Sequence, residues 1–188
     1  MRANVTRAAE GFDRRSFTVG EILRMQDAGI IAEDENFELI EGEIVPMQAK
    51  THVPELLKSA LNIAIARGLP ENLWMGVETT IYLGPHTFVE PDLVIYPRGI
   101  ELEQVKGADI VLAIEVALTS LAYDRGLKAQ LYARHDVREL WVIDAKERRT
   151  YVHTGPKAGA WAHIVERGPE DPLTCAALPE FSLKLGSI

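Results

Sequence analysis

The sequence predicts a mixed α/β (α+β) fold built around one central β-sheet, and two observations carry that prediction. The predicted elements run helix, three strands, helix, strand, strand, an order typical of a single sheet flanked by helices. The segment 109–116 (DIVLAIEV) is nearly all apolar, as a central strand buried on both faces should be. The 188 residues are enough to bury a core, and we expect one domain at 17–188 after a flexible N-terminal arm at 1–16.

Composition and charge exclude several classes of protein. Hydrophobic residues make up 47% and charged residues 26%, the range of a folded globular protein rather than a disordered one. A net charge of −8 and a pI near 5.2 argue against a protein that coats nucleic acid through overall positive charge. The single Cys175 excludes a disulfide framework and a multi-cysteine zinc site. Because the sequence contains no membrane-length apolar run and no apolar stretch at its start, we expect a cytoplasmic protein.

Capping and turn signals predict the first elements. Thr18 and Glu21 have the spacing of a capping box, which opens a short helix that ends at Gly29. Residues 37–45 then form two strand segments joined through Gly42.

Apolar periodicity predicts two longer helices. Residues 51–67 form the strongest predicted helix, because apolar side chains recur at helical spacing from Leu57 onward. A second helix is predicted at 123–134, with Leu127 and Leu131 one turn apart and packed against the sheet. The remaining elements are strands, predicted at 74–83, 92–96, 109–116, 139–144, 149–153 and 161–166.

Two carboxylates interrupt the apolar strands. Asp92 opens one strand directly after Pro91, and Glu115 lies near the end of the strand at 109–116. A carboxylate in such a place is costly to ionise unless it is paired or binds a metal. If the two strands are neighbours, the carboxylates meet at one end of the sheet, where a hard divalent cation relieves their repulsion. The alternative is that each carboxylate separately forms a salt bridge or caps a loop.

Lys128 lies in the helix that follows Glu115. Asp124, Lys128 and Tyr132 are spaced four residues apart and therefore share one helix face. Taken alone, this spacing favours a solvent-facing ion pair between Asp124 and Lys128 beside a packed Tyr132. Such a pair contributes about 0.5 kcal/mol.

Five motifs carry a resemblance to a known family. They are FELIEGEI at 37–44, EPDLV at 90–94, IEV at 114–116, LAYDRGLKAQLYAR at 121–134 and ELWVID at 139–144. In this order and spacing they resemble the Uma2-type restriction endonucleases, a family of the PD-(D/E)xK nuclease superfamily, over roughly the whole of 17–185. The resemblance implies a restriction-endonuclease-like core, in which helices flank a central mixed sheet and two adjacent strands supply metal ligands.

The resemblance also implies a metal site. Asp92 matches the aspartate of the superfamily motif and Glu115 its (D/E) position, so both are expected to bind Mg²⁺ or Mn²⁺, with the backbone carbonyl of Val116 as a further ligand. The motif lysine is missing, because Ala117 occupies its position. Lys128 is therefore expected to reach back from the helix, where it positions the attacking water or stabilises charge on the phosphate.

Other residues are implied to lie close to this site. Asp124 and Tyr132 share the helix face of the lysine, and Glu43 and His52 match positions that the family carries near the start of the first core helix. Simpler interpretations of the last two are a solvated strand residue and a capping residue. Leu118 departs from the family, whose members tend to have a small polar residue there.

These inferences favour a Mg²⁺-dependent endonuclease that hydrolyses phosphodiester bonds of nucleic acid, with DNA as the expected substrate. Leu118 and the missing lysine at position 117 leave open a weakened or inactive nuclease fold that serves as a binding or assembly module. An unrelated hydrolase with a pocket suited to a small phosphorylated substrate is a second alternative. We also expect a homodimer, because Trp161 and Phe181 lie in segments expected to be exposed and two-fold symmetry is the commonest assembly.

Overall fold

The computed structural model describes residues 15–32, 34–47 and 52–188, so the predicted arm at 1–16 lies outside the described residues except for its last two. The chain divides into two compact units, one of residues 1–47 with 84–88 and one of residues 48–83 with 89–188. None of the helices in the described ranges combines the length and apolar character needed to span a bilayer. The elements in chain order are α1 (Val19–Asp27), β1 (Phe37–Ile40), β2 (Glu43–Pro46), α2 (His52–Arg67), β3 (Leu73–Val77), β4 (Ile81–Gly84), β5 (Thr87–Val89), β6 (Leu93–Pro97), β7 (Leu112–Ala117), α3 (Leu121–Tyr123), a π-helical turn (Asp124–Lys128), α4 (Ala129–Arg134), β8 (Glu139–Asp144), β9 (Arg149–Lys157), β10 (Ala160–Arg167), β11 (Leu173–Cys175) and β12 (Leu178–Leu183).

In the first unit, α1 begins at the predicted capping box. The Thr18 hydroxyl accepts a hydrogen bond from the Glu21 N–H at 3.1 Å, and the Glu21 carboxylate accepts one from the Thr18 N–H at 2.9 Å. These reciprocal bonds satisfy backbone donors that the start of a helix leaves unpaired. The helix ends at Asp27, and Gly29 follows in the left-handed conformation with φ of +68°. Both predicted ends are therefore confirmed.

Strands β1 and β2 form the predicted antiparallel hairpin. The two turn residues, Glu41 and Gly42, have φ values of +51° and +85°. Positive φ at both positions gives a turn whose twist matches that of the flanking strands, which explains the glycine. Strand β1 also pairs with β5, where Leu39 lies opposite Phe88. The buried core of this unit is formed by Ile22, Ile31, Phe37 and Leu39.

The second unit contains a six-stranded sheet in the order β3-β6-β7-β8-β9-β10. Strands β7 and β8 are parallel, and the other neighbours in this sheet are antiparallel, so the predicted mixed sheet is confirmed. The helical segment between β7 and β8 provides the crossover that a parallel pair requires. Strands β11 and β12 form a separate antiparallel pair.

Helix α2 covers one face of the six-stranded sheet. Its side chains Leu57, Leu61 and Ile65 are buried in the main core cluster. The same cluster includes Ile114 of β7 and Trp141 of β8, so the helix packs over the two central strands. The helix predicted at 51–67 is confirmed from His52 to Arg67, while position 51 lies outside the described residues.

The single strand predicted at 74–83 is wrong, because β3 ends at Val77 and β4 begins at Ile81. Glu78 has a positive φ of +46°, which turns the backbone away from the extended path. Its N–H donates to the carbonyl oxygen of Asp92 at 3.1 Å. The break therefore depends on a contact with a residue distant in sequence.

The helix predicted at 123–134 begins at Leu121 and contains a π-helical turn. Leu127 is 46% exposed, whereas Leu131 is buried, so the expected packing of Leu127 against the sheet is wrong. A π turn closes i→i+5 hydrogen bonds and holds one residue more than an α turn, which shifts the inward-facing positions. The buried positions of this segment include Lys128 and Leu131.

Of the two segments expected to be exposed, that of Trp161 is exposed along most of β10, whereas Phe181 is buried. Phe181 is buried, and its ring centroid lies 5.9 Å from that of Trp141. Trp161 is half-buried and donates its Nε1–H to the carbonyl oxygen of Ala129 at 2.8 Å. Each ring covers a neighbouring element of the same chain.

Glu139 is a buried carboxyl group on β8. Its Oε1 accepts the Trp141 Nε1–H at 2.6 Å. Burial raises the pKa of Glu139 above its ordinary 4.5, and hydrogen bonds from Trp141 and Cys175 offset only part of that effect. The folded protein therefore favours the protonated form of this group more than the unfolded chain does.

We expect Glu139→Gln to raise the free energy of unfolding at pH 7 by about 1 kcal/mol, because the amide keeps an acceptor for Trp141 and carries no charge. In the wild type, the contribution of Glu139 to the free energy of unfolding is fully present at a pH below its ordinary pKa of 4.5. That contribution is lost as the pH rises through the raised pKa of the folded state. The advantage of the variant should therefore disappear in acid. Urea unfolding at a series of pH values measures both effects, and parallel pH profiles for the two proteins contradict the assignment.

Candidate active site

Strands β6 and β7 bring two carboxylates to the same end of the sheet. The strands are antiparallel, with Leu93 opposite Ile114. Asp92 directly precedes β6, and continuing the register by one residue sets it opposite Glu115. Asp92 itself lies just outside the strand, and its side chain contacts Lys58 of α2.

Both carboxylate oxygens of Asp92 have partners within the chain. Oδ2 accepts the Val116 N–H at 2.6 Å, and Oδ1 lies 3.2 Å from the Nζ of Lys58. The side chain is 21% exposed. Burial raises the pKa of Asp92 above its ordinary 3.8, although the Val116 N–H and the charges of Lys58 and Lys128 oppose this shift. Asp92 is thus a carboxyl group in a fixed orientation whose ionisation is costly.

Glu115 is buried more deeply than Asp92, and its side chain contacts the helical segment after β7. Its Oε1 accepts the Tyr132 O–H at 2.6 Å and lies 2.9 Å from the Nζ of Lys128. The side chains of Glu115 and Lys128 are each 6% exposed, so they form a buried ion pair. Ile114 packs in the core beneath α2, and since strand side chains alternate, Glu115 faces the opposite side, where α4 lies.

Asp124 and Lys128 do not face solvent, although solvent exposure is the arrangement that the spacing alone favours. Both side chains are buried. Asp124 accepts the Ser120 O–H at 2.6 Å, and the ammonium of Lys128 contacts Glu115. The spacing of four residues between Asp124 and Lys128 places both side chains on the buried face of the helical segment.

Lys58 on α2 is absent from the residues predicted from the sequence. Its Nζ lies 2.5 Å from Glu55, 2.6 Å from Glu78 and 3.2 Å from Asp92. The side chain is buried. One sequence signal was available, because Lys58 lies three residues before Leu61 and therefore falls on the apolar stripe of the helix.

The other predicted site residues differ in their exposure. His52 is exposed at the first residue of α2. Glu43 is exposed on β2, in the first unit. Leu118 follows the end of β7 and is exposed. Val116 contacts Asp92 through its N–H, and coordination of a metal by its carbonyl stays a prediction.

The donor set of the site suits one kind of metal ion. Carboxylate oxygens are hard ligands, which Mg²⁺ prefers. Within the ranges described, no group of three or more His, Cys, Asp or Glu residues is arranged to hold a metal ion. Two carboxylates are nevertheless enough for Mg²⁺, which commonly binds through one or two of them and keeps several waters. Asp92 and Glu115 therefore fit a partly hydrated ion rather than one enclosed by protein.

Comparisons with known proteins are consistent with the fold and extend over most of the chain. A family model described as "Putative restriction endonuclease", that of the Uma2 family, matches residues 19–186. A crystal structure described as a "putative nuclease belonging to DUF820" from Anabaena variabilis ATCC 29413 is similar with a TM-score of 0.72 and 16% sequence identity. The similarity covers 90% of this chain and 96% of that one, and at this identity it shows the fold alone. No curated protein matches the chain.

We expect Lys128→Met to lower the free energy of unfolding by about 3–5 kcal/mol, because it leaves Glu115 as a buried charge without its cation. Lys146→Met is the matched control, since the Lys146 side chain is 76% exposed, and it should change stability by less than about 0.5 kcal/mol. Chemical denaturation of both variants measures the difference. Equally small effects would rule out a buried pair between Lys128 and Glu115.

Proposed function

Since the chain belongs to the Uma2 family, described as "Putative restriction endonuclease", we propose that it is a metal-dependent endonuclease that hydrolyses phosphodiester bonds, with DNA as the expected substrate. The observation that carries this proposal is the pair of carboxylates on β6 and β7, each with its own lysine. Lys58 contacts Asp92, and Lys128 contacts Glu115. A fold gains little stability from buried ion pairs, so such a cluster favours a chemical role.

Asp92, Glu115 and the backbone carbonyl of Val116 would hold Mg²⁺ or Mn²⁺, which supplies Lewis-acid activation of a phosphate and of a bound water. The protein's own groups prepare the ligands for this task. The N–H of Val116 fixes the orientation of Asp92, and the O–H of Tyr132 fixes that of Glu115. Both carboxylates therefore lose little rotational freedom when they bind a cation.

Lys128 is the basic group that we assign to the reaction itself. Its ammonium lies 2.9 Å from Glu115, and its charge also acts on Asp92. In this position it can orient the attacking water or neutralise charge that develops on the phosphate. The motif position two residues after the glutamate cannot supply a lysine, because it is Ala117.

A non-catalytic binding or assembly module is the second candidate function. Leu118 stands beside the site, and the net charge of −8 gives no general attraction for phosphate. A protein of this kind would keep the fold and the buried charges without turnover. A nuclease assay separates the two candidates.

We expect the wild-type protein to cleave nucleic acid when Mg²⁺ or Mn²⁺ is present, and Asp92→Asn to be inactive. Lys128→Met should cleave about 10²–10⁴-fold more slowly, the range for loss of a catalytic proton-transfer or positioning group. Lys146→Met serves as the control and should keep the wild-type rate. The assay uses single- and double-stranded DNA and RNA, with circular dichroism to verify that every variant is folded.

The outcomes of this assay distinguish the proposals. Wild-type cleavage that survives Asp92→Asn rules out the assigned metal site. Full activity of a folded Lys128→Met variant, together with loss in Asp92→Asn, removes the role of the lysine and keeps the metal site. Binding of nucleic acid without cleavage by the wild type favours the binding module.

We further propose that the protein forms a homodimer through the outer side of α2. Val53, Leu56 and Ile63 are exposed there, and Leu56 keeps 67% of its surface. The three residues lie along one side of the helix, and two copies related by a two-fold axis would cover each other's stripe. The dimer interface that we propose is therefore this exposed side of α2, and it does not involve Trp161 or Phe181.

Light scattering at micromolar concentration should give the mass of a dimer for the wild type and of a monomer for Leu56→Glu, because the charge makes burial of the stripe unfavourable. Val165→Glu, on the exposed strand β10, is the control and should remain a dimer. A monomeric wild type contradicts the proposal.

A further inference from the structure

The ammonium of Lys58 is surrounded by three carboxylates. Its Nζ lies 2.5 Å from Glu55, 2.6 Å from Glu78 and 3.2 Å from Asp92, and its side chain is 9% exposed. Burial on its own would lower the pKa of Lys58, but hydrogen bonds from its ammonium to Glu55 and Glu78 and the charge of Asp92 outweigh burial and raise it. Lys58 is therefore one cationic side chain shared by three acidic side chains.

The backbone directs Glu78 toward this ammonium. Glu78 has a φ of +46°, which is unfavourable for a residue with a side chain, and its N–H donates to the carbonyl oxygen of Asp92. A strained conformation persists only where surrounding contacts hold it, and such residues cluster at functional sites. The ion pair with Lys58 is one contact that holds Glu78 in place.

The three contacts of Lys58 are unequal. The two glutamate contacts are short, and the contact with the proposed metal ligand Asp92 is the longest. A carboxylate offers about four lone pairs, and the Val116 N–H and Lys58 occupy one direction on each Asp92 oxygen. If the contact between Lys58 and Asp92 were broken, the ammonium would still contact the carboxylates of Glu55 and Glu78.

We propose that Lys58 is the resident cation of the metal-free site: its ammonium holds Asp92 beside Glu55 and Glu78, and a divalent cation that binds Asp92 displaces it toward the two glutamates. This inference rests on the metal binding by Asp92 that the proposed function requires. Lys58 is thus a positioning residue that sets metal affinity. An ammonium and a dication compete for the same carboxylate and repel each other, so Lys58 lowers the affinity of the site.

Lys58→Met tests the sign of this effect, since methionine has a similar shape and no charge. Titration calorimetry with Mn²⁺ should give a dissociation constant at least about tenfold lower than that of the wild type, because the competitor is removed. Lys58→Arg keeps the charge and should bind Mn²⁺ within about threefold of the wild type. Lys146→Met is the surface control and should leave the constant unchanged, whereas Asp92→Asn should abolish binding.

A charge-conserving double variant guards against failure of Lys58→Met to fold. Lys58→Met combined with Glu78→Gln keeps the net charge of the cluster while it removes the ammonium. It should also bind Mn²⁺ more tightly than the wild type. Equal or weaker binding by the folded variants overturns the inference, because it means that Lys58 supports metal binding rather than competing with it.

The failure of this inference differs from that of the proposed function. If the wild type binds Mn²⁺ and cleaves nucleic acid while Lys58→Met binds no more tightly, only the role of Lys58 is wrong. If Lys58→Met binds more tightly but neither protein cleaves any nucleic acid, Lys58 competes as proposed and the nuclease function is wrong. Absence of Mn²⁺ binding by every variant overturns both.

Discussion

The candidate site depends on the antiparallel register of β6 and β7. That register brings Asp92 next to the end of β7 that carries Glu115. The 2.6 Å hydrogen bond from the Val116 N–H then fixes the orientation of the Asp92 carboxylate. A lysine contacts each carboxylate from a different element: Lys58 of α2 contacts Asp92, and Lys128 of the helical segment after β7 contacts Glu115. A slip of one residue would turn Glu115 to the other face of the sheet and move the Val116 N–H away from Asp92.

Local signals in the sequence account for much of the fold. The capping box of α1, the glycine of the first hairpin and the apolar run of β7 each act through neighbouring residues, so a pattern is enough to predict them. The break between β3 and β4 is different. Glu78 adopts its positive φ where its N–H reaches Asp92, and that contact exists only in the folded chain. A tertiary contact of this kind leaves no local pattern to recognise.

The two carboxylates could be found in the sequence because they interrupt apolar strands, and the family resemblance drew attention to Lys128. The exposure of Leu127 could not be found, since helical spacing assumes an α-helix and the chain contains a π turn. Lys58 was missed for another reason. A lysine among apolar positions of a helix resembles a surface residue with a buried stem, and only its three carboxylate partners reveal the difference.

The π-helical turn has an evolutionary consequence, because it is equivalent to one residue inserted into an α-helix. Gly126 lies within the turn, and nothing surrounds the position of a side chain there. A relative that lacks this one residue can close the turn with i→i+4 bonds and still present Asp124 and Lys128 on the same side, since residues three apart share a helix face. Two lengths of this segment are therefore compatible with one site. An alignment of such relatives has to place a single gap between the aspartate and the lysine, or the lysines will fail to superimpose.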